Sequence, residues 1–241
     1  MTKKPCPRVI FVRHGQTEWS KSGQHTSVTD IDLTPFGIKQ MKATGEALFG
    51  NQPLNLIDPA HITHIFTSPR LRARHTTELI LEAIPAQVRS HIDVEVDDDL
   101  AEWYYGKYEG MKPDEIRRYR WDHGVDPPEH KWSIWSDGCE DGENYRDVTT
   151  RIDRFIAKLL SIQRKYMEAD EASDIIVVAH GHILRCLVAR WVHRELSTDP
   201  QLMLDAGGVG VLSYQHHNLD EPAIYLAGAF TVPVDEKSDD I

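Results

Sequence analysis

The chain is poor in cysteine. Cys6, Cys139 and Cys186 are its only three, an odd and scattered set without Cys-x-x-Cys spacing. That argues against a disulfide framework and predicts reduced thiols in a cytoplasmic setting. Long apolar runs are missing too. Val9–Val12 is far too short for a signal-peptide core or a membrane helix, and no apolar region follows the charged start MTKKPCPR. No membrane partner is therefore expected. Positive charge is scarce: 27 Lys and Arg face 38 Asp and Glu, a formal net charge of -11. General nucleic-acid binding wants a basic surface, so that class is excluded. A small anionic ligand held by a local basic pocket is not.

What is present is an ordinary globular composition, 40% hydrophobic and 27% charged over 241 residues. It is long enough for a large core and predicts one domain over 1–241, with residues from about 232 to 241 as a mobile acidic tail. No oligomeric state is implied. Val9–Val12, Ile62–Phe66, Val94–Val96 and Ile175–Val178 read as short strands, the first and last continuous and β-branched as buried parallel strands are. Val209–Tyr214 and Ala223–Leu226 read as closing strands. Thr34-Pro35 opens a helix, with Thr as N-cap and Pro at the first helical position. Further helices are predicted near Arg70–Leu81, Pro113–Trp121, Glu143–Tyr166 and His182–Val192. Residues 124–142 read as a loop. Strands alternating with helices predict an α/β layered fold with a largely parallel sheet.

Two of these apolar runs end alike, in VIFVRHG and IIVVAHG. Ligands of open α/β sheets bind beyond the carboxyl ends of strands. If the two strands are neighbours, His14 and His180 share one pocket. Arg13 precedes the first histidine, Arg185 follows the second, and SPRLRARHT adds Arg70, Arg72 and Arg74 after another strand. Arginine binds phosphate bidentately and stays charged, and neutral imidazole attacks phosphorus. The set suits a phosphate ester. A proton donor is needed for the leaving alkoxide; Glu102 lies among apolar and aromatic residues, but composition does not separate it from Asp99 or Glu109. Blander readings compete. His180-Gly-His182 resembles metal-ligand spacing, yet clustered arginine repels a divalent cation, so no metal is expected. Arg74 reads as a solvated helix face, and Trp103, Tyr104 and Tyr105 as core. Gly207-Gly208 is either a turn before a strand or a close backbone approach to a ligand.

RHGQTEW, SPRLRARHT and AHGH, in that order, resemble the histidine phosphatase superfamily. The resemblance implies a three-layer α/β/α sandwich of the phosphoglycerate mutase-like kind. It implies His14 as the nucleophile that becomes phosphohistidine, with Arg13, Arg72 and His180 on the phosphoryl group. Glu102, in an L-x-E-x-x-x-G context, is implied as proton donor, and no cofactor is implied. WSDGCEDGE and MLDAGGVGVLSYQHHNLDEPA resemble a subgroup acting on sugar bisphosphates, which implies a phosphorylated sugar as partner. By that likeness Thr26 and Ser27 line the phosphate site, and Arg70, Tyr105, Arg185, Gly207 and Gly208 contact the sugar or its distal phosphate. The chain departs from the subgroup at Ser27, where glycine is usual, and in a short stretch between Trp191 and Met203. The paired-arginine RRSYDxPPP stretch of mutases is missing; only DPPEHKW stands in its place, which favours hydrolysis.

Overall fold

A computed structural model describes residues 6–49 and 57–234. Six strands form one sheet: β1 (Arg8–Arg13), β2 (Ile62–Thr67), β3 (Asp93–Val96), β4 (Asp174–Ala179), β5 (Val209–Tyr214) and β6 (Pro222–Ile224), in the order β3-β2-β4-β1-β5-β6. The β3-β2, β2-β4 and β4-β1 pairs are parallel, while β1-β5 and β5-β6 are antiparallel. Among the described residues eight α-helices accompany them: α1 (Glu18–Ser22), α2 (Pro35–Phe49), α3 (Leu71–Glu82), α4 (Ala86–Arg89), α5 (Pro113–Asp122), α6 (Ile134–Asp137), α7 (Tyr145–Glu168) and α8 (Gly181–Trp191).

Alternation along the central strands makes the layers. Val9 and Phe11 of β1, with Ile175 and Val177 of β4, bury against Val148, Ile152 and Phe155 of α7 and Leu184 and Leu187 of α8. Ile10, Val12, Ile176 and Val178 face the other way, onto Met41 and Leu48 of α2 and Ala73 and Ile80 of α3. A strand covered on both faces must be apolar at every position, which is why β1 and β4 read as continuous runs. The expected three-layer α/β/α sandwich with a mostly parallel sheet is the architecture observed.

Element edges follow local chemistry. Thr34 Oγ1 accepts from Gly37 N at 3.0 Å, capping α2 ahead of Pro35. Two details differ from the sequence reading. The expected loop at 124–142 contains the one-turn α6, with Ser133 as N-cap. The last strand ends at Ile224, and Leu226 begins a 3₁₀ turn. No helix among the described residues is long and apolar enough to cross a membrane. The acidic tail lies, from residue 235 on, outside the described residues.

The register decides where the site forms. Arg13 pairs with Ala179 across β1 and β4, and Thr67 of β2 pairs with Val178. His14 N–H donates to Ala179 O, and Ser68 N–H to Val178 O, both at 3.0 Å. The carboxyl ends of three adjacent strands therefore deliver Ser68, His180 and His14 side by side.

Candidate active site

His14 and His180 meet, with ring centroids 5.1 Å apart in an edge-on arrangement. Only 5% of His14 and 1% of His180 is exposed. His14 Nδ1 lies 2.8 Å from Gly15 O, so it carries the proton and leaves the Nε2 lone pair bare. Burial, reinforced by the charges of Arg72 and Arg13, holds the His14 pKa well below its ordinary value. A neutral ring with a free Nε2 is what a nucleophile needs. His180 is neutral for the same reasons, with Arg72, His14, Arg70 and Arg13 adding to burial. Its Nε2 sits 2.6 Å from Ser68 Oγ, which itself accepts from Arg70 N–H. With Ser68 as the donor to Nε2, the imidazole proton sits on Nδ1, a buried nitrogen without a hydrogen-bond partner.

Other donors are unspent as well. The Nε atoms of Arg13, Arg70 and Arg72 are buried and unpartnered. Arg72 is fully buried; its Nη1 donates to Thr29 O, and its Nη2 to Thr26 O and Ser27 O. Arg13 Nη1 donates to Leu204 O at 2.6 Å. An unsatisfied buried donor costs about 1–3 kcal/mol, more when charged. The charges of Arg72 and Arg13 act on His14, and those of Arg72, Arg70 and Arg13 on His180, so unspent cationic donors gather at the two histidines, the chemistry of an anion site.

Glu102 closes one wall, 6% exposed. Its Oε1 accepts from Trp103 N and Ile183 N, both at 2.9 Å, and Oε2 from His182 N at 3.0 Å. The apolar setting read from the sequence is thus only half the description: three backbone amides, two from the first turn of α8, hold the carboxylate. Asp99 is elsewhere, bound to Arg154, and Glu109 is engaged by Ser27 and Thr29.

A pocket of about 310 Å³ opens here. Arg13, His14, Thr26, Glu102, Tyr105 and Arg185 all line it. Tyr105 is buried with its hydroxyl 2.7 Å from His182 Nδ1, and the Arg185 guanidinium lies 5.1 Å from the Trp135 ring centre. Six expected site residues lie outside that lining: Arg72 and His180, buried behind it, and Ser27, Arg70, Gly207 and Gly208. Ser27 spends its amide and hydroxyl on Glu109 and only its carbonyl on Arg72. Arg70 stands at the N-terminus of α3, where its charge acts on His180 and not across the pocket beside Arg185. Gly207 and Gly208 form a turn whose amides are spent: Gly207 N–H donates to Arg13 O and His14 O, and Gly208 N–H to Asp205 O. No amide there is left for a ligand. Gly207 has φ +70°, and a Cβ would sit 2.6 Å from the Gln40 side chain, so glycine is required by the turn.

The pocket also holds residues that sequence reasoning passed over: Thr17, Ser20, Gln24, His25, His182 and Asp205. His25 and His182 stack with centroids 5.6 Å apart, both held neutral chiefly by burial. His182 was visible in AHGH but only as metal-like spacing, whereas His180 and His182 point to different partners. Thr76, the closing threonine of the SPRLRARHT segment, accepts from Gly15 N and so braces the loop that carries His14.

A sheet whose strand ends gather two neutral histidines inside a cage of arginines defines a phosphoryl-transfer enzyme. Residues 9–222 match the family model of the histidine phosphatase superfamily (branch 1), and the chain belongs to that family. It is 47% identical to the sedoheptulose 1,7-bisphosphatase of Saccharomyces cerevisiae, over 96% of each chain. Among solved structures it is similar to the product of a Mycobacterium tuberculosis open reading frame, with TM-score 0.71, 28% identity, and 90% and 95% of the two chains covered. A Bacillus anthracis phosphoglycerate mutase shares the fold, at TM-score 0.68 and 21% identity over 92% of each chain. The family and the first relative make this chain a phosphatase acting on phosphate monoesters.

Proposed function

We propose that the enzyme removes a phosphate from a sugar bisphosphate, sedoheptulose 1,7-bisphosphate foremost, through a phosphohistidine on His14. The observation that carries this is the set of buried, unpartnered donors of Arg13, Arg72 and His180 beside His14, whose ring lies 5.1 Å from that of His180 and whose Nδ1 is committed to Gly15 O. His14 Nε2 attacks phosphorus. The bond from phosphorus to the sugar oxygen breaks, its electron pair stays on that oxygen, and Glu102 passes it the proton it has taken up from the bound phosphate monoanion. Water then attacks the phosphohistidine, giving its proton back to Glu102, and inorganic phosphate leaves with His14 restored. Guanidinium and imidazole donors aimed at the phosphoryl oxygens stabilise the charge that spreads over them. The arginines supply the cationic charge, so the reaction asks for no metal or organic cofactor.

Arg185 at the far side of the pocket is the anchor for a second phosphate, and Tyr105, held by His182, packs against the sugar. Thr26, a lining residue whose carbonyl accepts from Arg72, is assigned to the phosphate end. Ser27, Arg70, Gly207 and Gly208 act indirectly, by holding the residues that touch substrate. The 47% relative supports the choice of sugar. The free cysteines fit a reducing, cytoplasmic setting, and the enzyme works as one catalytic domain. Phosphate release from a panel of sugar phosphates with chelator present tests the reading. Sedoheptulose 1,7-bisphosphate is expected to be turned over fastest, with 3-phosphoglycerate near background. Equal rates across the panel, or loss of rate on chelation, would refute it.

A further inference from the structure

Arg72 is fixed by carbonyls, not by a carboxylate. Thr26 O, Ser27 O and Thr29 O take its two terminal nitrogens at 3.0, 3.3 and 3.2 Å. These carbonyls belong to a stretch without helix or strand, so something else must aim them. Glu109 does. Its Oε1 accepts from Ser27 N and Thr29 N, both at 2.9 Å. Its Oε2 accepts from Ser27 N at 3.0 Å and Ser27 Oγ at 2.9 Å.

The Thr26–Ser27 peptide is the link. A trans peptide is planar, with N–H and C=O pointing in opposite directions; the described residues contain no cis bond. When the Ser27 N–H points at Glu109, the Thr26 C=O must point away from it, and there it meets Arg72. One rigid peptide thus joins a carboxylate to a guanidinium, and the carboxylate polarises it in the sense that strengthens the far hydrogen bond. Of the three Arg72 nitrogens only the buried Nε has no partner, and Nη1, bound to Thr29 O alone, keeps a second N–H.

We propose that Glu109 is a positioning residue: through the Thr26–Ser27 peptide it sets the guanidinium of Arg72 toward the phosphoryl group. The proposal rests on the reading of Arg72 as a phosphate ligand. Glu109 is not needed to keep the loop in place. His25 N–H donates to Met111 O, Gly110 N–H to His25 O, and Gln24 Nε2 to Gly110 O. Beyond the bridge, Asp30 accepts from Leu71 N and Asp32 pairs with His75. The serine at 27, where the subgroup usually has glycine, adds its hydroxyl to the same carboxylate.

The test is a double-mutant cycle on Glu109→Ala and Arg72→Lys. Two quantities are read: calorimetric affinity for inorganic phosphate, and kcat/KM for p-nitrophenyl phosphate. Glu109→Ala alone is expected to lower both by about ten- to a hundredfold. In the Arg72→Lys background, where the guanidinium fork is gone, it is expected to lower them by less than about threefold. A merely structural role predicts the same loss in both backgrounds, and that result, or no loss at all, would overturn the proposal. If Glu109→Ala does not fold, Glu109→Gln keeps one acceptor oxygen and goes through the same cycle, with a smaller loss still confined to the Arg72 background. Wild-type turnover of sedoheptulose 1,7-bisphosphate is measured alongside. Its absence removes the choice of sugar, while p-nitrophenyl phosphate still decides Glu109.

Discussion

Replacing Glu102 by Gln separates its two tasks. The carboxylate serves three amides, two on Oε1 and one on Oε2. Gln keeps its oxygen for Trp103 N and Ile183 N, but its NH₂ then faces the His182 N–H, donor against donor. A buried donor left unsatisfied costs about 1–3 kcal/mol. Loss of a negative charge at the first turn of α8 adds roughly 0.3–1 kcal/mol. The sum, about 1–4 kcal/mol, lowers the melting temperature by roughly 3–16 °C for a chain of this length. Catalysis responds differently with each substrate. A sugar alkoxide needs a proton to leave, and loss of a positioned acid costs about 10²–10⁴-fold. Nitrophenolate needs none. Stopped-flow on p-nitrophenyl phosphate should therefore show a burst close to the enzyme concentration, followed by slow turnover, because the second half-reaction has lost its base. The sugar bisphosphate should show no burst and be slow from the first turnover. A variant equally slow in the first turnover of both substrates would refute the role of Glu102 as acid. An unchanged melting temperature would refute the three-amide anchor.

Three more outcomes follow from the geometry. His14, His180 and His182 are buried neutral, each with its folded-state pKa pushed well below the ordinary value by burial. The unfolded chain takes up protons below about pH 6.5 while the folded chain does not, so stability must fall as pH falls below that point. Each group contributes at most about 1.4 kcal/mol per pH unit, and urea midpoints at pH 7.5, 6.5 and 5.5 measure the slope. Saturating phosphate should flatten it, because a bound anion favours the protonated rings. His14→Ala should abolish acid-labile labelling from a ³²P-substrate and lower turnover at least about 10³-fold, while calorimetry still detects phosphate; labelling that survives places the nucleophile elsewhere. Gly207→Ala forces a Cβ into the Gln40 side chain at φ +70°. It should lower stability by about 1–3 kcal/mol and lower activity as well, since the same turn accepts from Arg13 N and donates to the carbonyls of Arg13 and His14.

How far the site could be read in advance depended on how local each cause was. β1 and β4 announce themselves because double burial leaves no polar position between Val9 and Val12 or Ile175 and Val178. His14 and His180 were legible as partners because strand ends are where such sheets bind ligands, and the Arg13–Ala179 register brings them together. Thr26, Tyr105 and Arg185, singled out by the family likeness, line the pocket. Gly207-Gly208 had two local explanations, a turn or a ligand approach, and only the destination of its amides separates them. Ser27 shows where local reading stops. Nothing near it in sequence reveals that its amide faces Glu109 while the other end of the same peptide faces Arg72. Three segments distant along the chain must be folded before that peptide has a direction. Glu109 was legible only as a candidate proton donor, because a partly buried carboxylate followed by a glycine carries no sign of what it aims. Its task exists only in the geometry of what it turns, so the residues most legible in sequence are those that touch substrate directly, and those that aim them are found last.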